Sequence, residues 1–254
     1  MSMAKIILTI CFLLFIWAFF IEPNLIVVRH FQVEALKDKK IVFASDFHIA
    51  KHDKTRLEKI VATINKQNPD LVLFGGDYVK GHNGENTMPI EEQVKIFKQI
   101  KAPIVSIVGN HDGWYNKEKI IRTLKNNGVT VLVNENVRIG DITIAGVDDL
   151  QTGSPDSKKA LQGCLGKTIL MTHNPDVYSD LDKKVDLILA GHVHGGQVRM
   201  PFVGALIAPS KFGTKFAQKH VFNETQNTMI VSRGLGTSIL SLRFCCFPEI
   251  IVIN

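Results

Sequence analysis

Short, largely apolar runs of the length of β-strands recur along the chain, and five of them lead into an Asp, Asn or His within three residues. Runs of this length are typical of strands buried in a parallel sheet. They occupy residues 41–44, 71–74, 104–108, 168–172 and 187–190. Because ligands of open α/β sheets bind at the carboxyl ends of strands, we expect the polar residues after these runs to share one site.

Segments with the periodicity of amphipathic helices lie between several of these runs. Apolar residues recur at i, i+3, i+4 and i+7 in Thr55–Gln67, Ile90–Ile100 and Lys117–Asn127. Ser154, followed by a proline, begins a shorter helix that ends near Leu165. Strands that alternate with helices predict an α/β domain with parallel strands.

Two further regions carry strand patterns without helices between them. They span residues 129–147 and 221–254, and they predict a second sheet. Near the start of the domain, Leu25–Val33 alternates loosely, and we expect it to form a strand paired with Ile41–Ala44.

An apolar run opens the chain. It extends from Ile6 to Ile21, is interrupted only by Thr9, and is ended by Glu22 and Pro23. A membrane-spanning helix needs about 20 residues, and the run lacks the small residues of a signal-peptide cleavage site. We therefore predict an uncleaved membrane anchor in residues 1–23, with a signal peptide or a buried core helix as alternatives.

The remaining residues, 24–254, are enough for one large domain with a full core. More basic residues follow the apolar run than precede it, which favours the cytoplasmic face of the cell (inner) membrane under the positive-inside rule. The formal net charge of +6 suits anionic partners. Nucleic acid is disfavoured because no basic block with interleaved aromatic residues appears. The four cysteines show no spacing of a disulfide framework.

The polar residues at the strand ends form a set typical of metal ligands. The candidate ligands are Asp46, His48, Asp77, Asn110, His173, His192 and His194. Carboxylate, amide and imidazole groups without cysteine suit Mn, Fe, Zn or Co. Seven ligands exceed the needs of one ion, whereas two divalent ions that share a bridging carboxylate would use them all.

These residues occur in motifs that resemble, in order and spacing, those of the calcineurin-like metallophosphoesterases. The motifs are Asp46-x-His48, Gly76-Asp77, Gly109-Asn110-His111-Asp112, His173 and Gly191-His192-x-His194. Two extensions, Gly195-Gly196-Gln197 and Ser232–Thr237, resemble a bacterial, membrane-anchored branch of this family. The resemblance covers the chain from about residue 24 onward. It implies a four-layer α/β/β/α sandwich of two mixed sheets, here preceded by an N-terminal membrane helix.

The resemblance also implies a role for each ligand. One metal would be held by Asp46, His48, Asp77 and His194, and the second by Asp77, Asn110, His173 and His192. Asp77 would bridge the two ions. His111 would act as the catalytic proton donor or phosphate contact. Many family members orient this histidine with an aspartate three residues after the bridging one, where this chain has Lys80; Asp112 is a candidate replacement.

The implied function is that of a binuclear metal-dependent hydrolase of phosphoesters. Phosphodiesterase or pyrophosphatase activity is favoured over protein phosphatase activity, because no arginine near the motifs matches those that grip phosphate in protein phosphatases. The alternatives are a membrane-bound interaction module without catalysis, and a nuclease.

The segment after the last ligand suggests a substrate. Met200–Phe216 is apolar, contains Lys211 and Lys215, and carries prolines and glycines that disfavour a long regular element. Such a loop near the metals predicts a lipid-linked or nucleotide-sugar substrate, as in the UDP-2,3-diacylglucosamine hydrolases of the same superfamily. The alternative is that Phe202–Ile207 packs into the core as a strand.

Overall fold

The computed structural model describes residues 2–254. The helices are α1 Met3–Ile16, α2 Lys54–Lys66, α3 Ile90–Phe97, α4 Asn110–Asn126, α5 Ser157–Ala160 and α6 Lys215–Gln218. The first seven strands are β1 Val27–Phe31, β2 Ile41–Ala44, β3 Leu71–Phe74, β4 Ile104–Ser106, β5 Thr130–Val131, β6 Glu135–Ile139 and β7 Ile142–Gly146. The other seven are β8 Lys167–Thr172, β9 Leu187–Ala190, β10 Arg199–Met200, β11 Gly204–Ala205, β12 Val221–Phe222, β13 Met229–Val231 and β14 Glu249–Ile253.

Twelve of these strands form two six-stranded mixed sheets. The first has the order β1-β14-β2-β3-β4-β5 and the second has the order β12-β13-β9-β8-β7-β6. In the first sheet β14 and β2 run antiparallel and the other neighbours run parallel. In the second sheet the outer pairs β12–β13 and β7–β6 are antiparallel and the inner pairs are parallel. The remaining two strands, β10 and β11, form a separate antiparallel hairpin.

Side-chain alternation along the strands builds the layers. In β2, Ile41 and Phe43 point toward the second sheet and join a core that includes Ile169 and Leu189. The alternate residue Val42 points the other way, into a second core formed with helices α2, α3 and α4. A third core covers the outer face of the second sheet, where α5 and α6 pack. The predicted α/β/β/α sandwich is therefore confirmed.

The predicted pairing of the first two strands is wrong. β1 does not pair with β2, because the C-terminal strand β14 lies between them, parallel to β1 and antiparallel to β2. Every residue of β14 is buried, whereas β1 is partly exposed. The more apolar segment therefore takes the internal position, and the more polar one becomes the edge.

Glu249 stands at the start of β14 and is fully buried among basic partners. Its carboxylate accepts a hydrogen bond from Arg29 Nε at 2.7 Å and lies 3.0 Å from His220 Nε2. It also accepts the backbone amide of Arg233 at 2.9 Å. Burial would raise the pKa of this carboxyl, but its hydrogen bond and charge interaction with His220 hold the pKa below its ordinary value.

The strand-only regions are shared between the two sheets rather than confined to one. β6 and β7, with β12 and β13, lie in the second sheet as expected, but β5 and β14 belong to the first. Helix α4 also differs from its prediction. It begins at Asn110 and is interrupted at Asn116, whose φ of −171° and ψ of 84° are not helical.

The N-terminal segment is one extended apolar helix. Residues 3–16 are α-helical, Trp17–Ile21 form a wider turn, and Glu22–Asn24 form a last tight turn. The segment has 22 residues, its most apolar 18-residue stretch has a mean hydropathy of 2.5, and no residue of α1 is buried. The helix is long and apolar enough to cross a membrane, a property that signal sequences share.

Candidate metal centre

All seven candidate ligands lie where strands of the two sheets end. Asp46 and His48 follow β2, and Asp77 follows β3. Asn110 begins helix α4 after β4. From the second sheet, His173 follows β8, while His192 and His194 follow β9. The structure thus brings together, at one end of the sandwich, residues that are up to 148 positions apart in the sequence.

Five of the seven ligands have a left-handed backbone conformation. The φ angles are 55° at Asp46, 40° at His48, 58° at Asp77, 69° at His192 and 51° at His194. Residues with a side chain rarely adopt this region, at a cost of about 1–3 kcal/mol each, and do so mostly at functional sites. The surrounding chain fixes these turns, because the amides of Asp46 and His48 donate to the carbonyl oxygens of Gly76 and Asp77. The tight turns direct the ligands inward.

One group of ligands is centred on the two histidines His48 and His194. Their Nε2 atoms are 3.2 Å apart, and His194 Nε2 lies 3.5 Å from Asp46 Oδ1. His48 Nε2 is 3.4 Å from Asp77 Oδ2. Ligand atoms at about 2.0–2.2 Å from a common zinc-like ion lie roughly 3.0–3.5 Å from one another. These separations fit a shared cation.

A second group is centred on Asn110. Its Oδ1 lies 3.0 Å from His173 Nε2 and 2.9 Å from His192 Nδ1. His173 Nε2 is in turn 3.2 Å from Asp77 Oδ2. The oxygen Asp77 Oδ2 therefore faces both groups, as the bridging position requires.

Backbone groups hold the rings and carboxylates of the site in position. The carbonyl oxygens of Val79 and Gly75 lie 2.7 Å from Nδ1 of His48 and His173, so each accepts a hydrogen bond from Nδ1–H. In the neutral ring that bond places the proton on Nδ1 and leaves Nε2 free and directed into the site, which is the usual arrangement of a ligating histidine.

Two buried carboxylate oxygens of the candidate ligands have no hydrogen-bond partner within residues 2–254. Asp77 Oδ1 accepts the amide of His111 and Asp46 Oδ1 accepts the amide of His192, but Oδ2 of each aspartate is unpaired. An unpaired buried carboxylate oxygen is costly. A divalent cation would satisfy both atoms, so the residues present fit such an ion.

Burial keeps most of the imidazoles in the ligating state. It lowers the pKa of His48 to about 3, that of His192 to about 4 and that of His194 well below its ordinary value. These rings are therefore neutral at pH 7, with a lone pair available for a cation. Burial also raises the pKa of Asp46 to about 6. His173 differs: burial opposes its protonation, but the adjacent Asp77 raises its pKa well above the ordinary value.

His111 lies beside the two groups. One of its ring nitrogens lies within 4.8 Å of ligand atoms of His48 and Asp77. Its Nδ1 is 2.8 Å from the carbonyl oxygen of Gly81, and its Nε2 is 3.5 Å from Ser238 Oγ. A backbone carbonyl therefore orients this ring.

Asp112 does not take the orienting role that the sequence suggested. Its carboxylate accepts the backbone amides of Asp77, Tyr78, Val79 and Gly109 at 2.8–3.2 Å, and so ties the turn after β3 to the start of α4. Lys80, at the position where many family members have the orienting aspartate, donates from Nζ to Thr237 Oγ1 at 3.1 Å. Burial raises the pKa of Asp112 to about 7.

Arg243 supports the site from behind and has no signal in the sequence, where it is a lone basic residue in an apolar stretch. The side chain is fully buried. Its guanidinium donates to four carbonyl oxygens, those of Arg233, Gly234, Gly236 and Cys246. The loop held in this way donates the amides of Leu235 and Gly236 to the carbonyl oxygens of Ser45 and Asp46, at 3.0 and 2.5 Å.

The mouth of the site carries an aromatic cluster. The rings of His82 and Trp114 are 4.3 Å apart, and Trp114 is 4.9 Å from His111. Across the mouth, Gln151 Nε2 lies 3.4 Å from His192 Nε2. Neither His82 nor Gln151 stands in a recognisable motif, so sequence reasoning gave them no role.

The fold and this constellation define a phosphoesterase. A sequence profile described as "Calcineurin-like phosphoesterase" matches residues 39–196. The chain therefore belongs to this family and is a metallophosphoesterase, as the sequence motifs predicted. One solved structure superposes with a TM-score of 0.50 at 11% identity over 76% of this chain and 89% of the other, which shows a shared fold.

Two bacterial relatives are similar over most of their length. The chain is 31% identical to the metallophosphoesterase YkuE of Bacillus subtilis, over 93% of this chain and 87% of the relative. It is 33% identical to the phosphodiesterase YaeI of Escherichia coli, over 89% of this chain and 87% of the relative.

Proposed function

We propose that the protein hydrolyses phosphodiesters or pyrophosphates with a centre of two divalent cations. The observation that carries this proposal is the position of Asp77 Oδ2. This buried oxygen has no hydrogen-bond partner among the described residues and faces two separate groups of ligands. A shared carboxylate is the usual way in which a protein holds two catalytic ions close together.

Each ion would have four protein ligands. Asp46, His48, Asp77 and His194 would hold the first, and Asp77, Asn110, His173 and His192 the second. Bound divalent ions at such a centre polarise the phosphoryl group and supply hydroxide at neutral pH.

His111 is suited to protonate the leaving oxygen. The hydrogen bond from Nδ1–H to the carbonyl oxygen of Gly81 fixes the ring, so that Nε2 is the nitrogen available to a substrate. In the imidazolium form, Nε2–H can donate its proton to the departing alkoxide or phosphate.

A phosphodiester substrate is favoured by two observations. The relative YaeI is described as a phosphodiesterase. In addition, the guanidinium of Arg243, which is buried next to the site, donates its hydrogen bonds to backbone carbonyl oxygens and is not available to bind a phosphate. A phosphate monoester carries one more negative charge than a diester and benefits more from such a cation.

A lipid-linked or nucleotide-sugar substrate remains our proposal for the natural reaction. The segment after the last ligand supports it only in part. Phe202–Ile207 is exposed except at Gly204 and Ala205, so the alternative of a core strand is wrong. Phe216, in contrast, is buried against Tyr178 and Phe222 and cannot touch a substrate. We further propose that the apolar helix anchors the protein in the cell membrane, with the domain on the cytoplasmic face.

The test is turnover of a substrate panel by the full chain after removal and return of metal. The panel contains a chromogenic phosphodiester, a phosphomonoester, a nucleotide-sugar pyrophosphate in acylated and deacylated forms, cyclic nucleotides and DNA. Mn²⁺, Fe²⁺, Zn²⁺ and Co²⁺ are returned separately, with Asp77→Asn as the matched inactive control. We expect metal-dependent hydrolysis of the diester or pyrophosphate. Metal binding without turnover would favour the interaction module, and preference for DNA the nuclease.

A further inference from the structure

Exposed apolar side chains cluster on two neighbouring segments that the proposed chemistry does not use. We define the apolar rim as Met200, Phe202, Val203, Leu206, Ile207, Ile239 and Leu240. Phe202 is fully exposed, Ile239 is 93% exposed and Ile207 is 80% exposed. Single exposed apolar residues are common on soluble proteins, but a group of this size marks an interaction surface.

Hydrogen bonds tie the two segments of the rim together. The side chain of Gln197 donates from Nε2 to the carbonyl oxygen of Leu240 at 2.7 Å and accepts the amide of Ser238 at 2.8 Å. The amide of Arg199, at the start of the β10–β11 hairpin, donates to the carbonyl oxygen of Phe244 at 2.8 Å. The hairpin and the 238–242 loop therefore belong to one surface.

The N-terminal apolar helix is fixed to the same part of the molecule. The amide of Arg243 donates to the carbonyl oxygen of Ala18 at 2.9 Å. Glu22, only 1% exposed, accepts hydrogen bonds from Trp17 Nε1 at 2.6 Å, from the amide of Cys245 at 3.0 Å and from the amide of Cys246. The helix thus meets the domain through a buried carboxylate rather than a flexible linker.

We propose that the apolar rim inserts into the interfacial layer of the lipid bilayer that the N-terminal helix enters. This inference rests on the proposed membrane anchor but not on the identity of the substrate. Continuity with the apolar helix selects a bilayer over a protein partner, because a docked helix in the membrane brings the adjoining rim to the same bilayer surface.

The contact would be apolar rather than electrostatic. The lysines of the segment that follows the hairpin are already paired: Lys211 lies 3.3 Å from Asp180, and both Lys215 and Lys219 lie next to Glu224. They are therefore poorly suited to bind anionic headgroups. We expect insertion to be insensitive to salt and to headgroup charge.

The rim also reaches the mouth of the metal centre. Ser238, next to Ile239, places its Oγ 3.5 Å from His111 Nε2. An inserted rim would hold the opening of the centre at the level of the lipid headgroups, where a phosphate group anchored in the bilayer would be within reach.

Tryptophan fluorescence with brominated lipid tests the proposal. The variants Phe202→Trp and Ile239→Trp are placed in nanodiscs that contain one protein copy each, made of phosphatidylcholine with bromine at shallow acyl positions. We expect the added emission, measured as the difference from the parent protein, to be blue-shifted and quenched by at least half. The matched control is Leu165→Trp, an exposed apolar position at the opposite end of the strands, which should show no quenching.

The parent protein separates failure of the anchor from failure of the rim. All variants and the parent carry Trp114→Phe, so that Trp17 in the apolar helix is the tryptophan left in the parent and its quenching reports insertion of that helix. If the parent is quenched but positions 202 and 239 are not, the rim proposal is wrong while the anchor stands. A blue shift of the emission at position 202 without quenching would mean contact with protein, which would also overturn the rim proposal. An unquenched parent would overturn both the membrane anchor and the rim proposal.

Discussion

Arg243 offers the sharpest test of how the fold supports the metal centre. Replacing it with lysine leaves at most three N–H donors for four buried carbonyl oxygens, on a side chain that lacks the planar fork. Each buried acceptor left without a partner costs about 1–3 kcal/mol. With one or two carbonyls unpaired, we expect Arg243→Lys to lower the free energy of unfolding by about 2–4 kcal/mol. A methionine would leave all four unpaired and threaten the total of about 5–15 kcal/mol.

The same change should weaken one ion site more than the other. The loop that Arg243 holds is bonded to the carbonyl oxygen of Asp46, a candidate ligand of the first ion only. We expect the affinity for that ion to fall about 10–100-fold, the usual effect of losing a group that positions a ligand. The affinity for the second ion should change little.

Urea unfolding in detergent micelles and calorimetric titration with Mn²⁺ measure these two effects. The matched control is Arg138→Lys, because Arg138 Nε donates an exposed hydrogen bond to the carbonyl oxygen of Gly140. It should stay within about 0.5 kcal/mol of the parent. If the free energy of unfolding of Arg243→Lys also stays within about 0.5 kcal/mol of the parent, or if the affinities of both ion sites fall equally, the supporting role of Arg243 is refuted.

Three further predictions follow from the site and from β14. Asp77→Asn should remove both metals and nearly all activity, whereas Asn110→Ala should release mainly the second ion. Elemental analysis of the purified variants measures the number of ions bound. Two ions retained in Asp77→Asn would exclude Asp77 as the bridging ligand. His111→Ala should keep both metals but lose turnover, so an unchanged rate would assign the proton transfer to another group. Glu249→Gln should lower the stability at pH 7 by about 1–3 kcal/mol. Because the pKa of Glu249 is lowered in the folded state, this stabilisation is complete above about pH 4.5 and is lost as the pH falls further. Thermal unfolding should therefore show the gap to the parent closing in acid, and a constant gap would contradict the assignment.

The candidate ligands could be predicted because each stands within four residues of the end of its strand. An apolar run that ends at Asp77 or at His192 fixes both the strand and the side chain at its carboxyl end, so local pattern was enough. Their mutual distances, and the sharing of Asp77 Oδ2, depend on how the two sheets face each other, which a linear pattern does not contain.

Long-range competition accounts for what the sequence did not show. β14 displaced β1 from its expected neighbour because the two segments compete for one internal position, and burial decides between them. The guanidinium of Arg243 has partners up to ten positions away and its backbone amide has one at Ala18, and the residue has no periodic signal. Phe216 and Phe202 lie in the same apolar stretch, yet one is buried in the core and the other is exposed, since only the first faces the second sheet.

The place of β14 sets the order in which the protein can fold. β1 and β2 are made early, but the strand that joins them is encoded more than 200 residues later, at Glu249–Ile253. Until residue 253 has been synthesised, β2 presents an unpaired apolar edge, which is a site for aggregation. The N-terminal helix, in contrast, leaves the ribosome before the domain and can reach a membrane before the first sheet is complete. Such non-local pairing makes folding slow, so holding the nascent chain at a membrane would separate it from other unfinished copies.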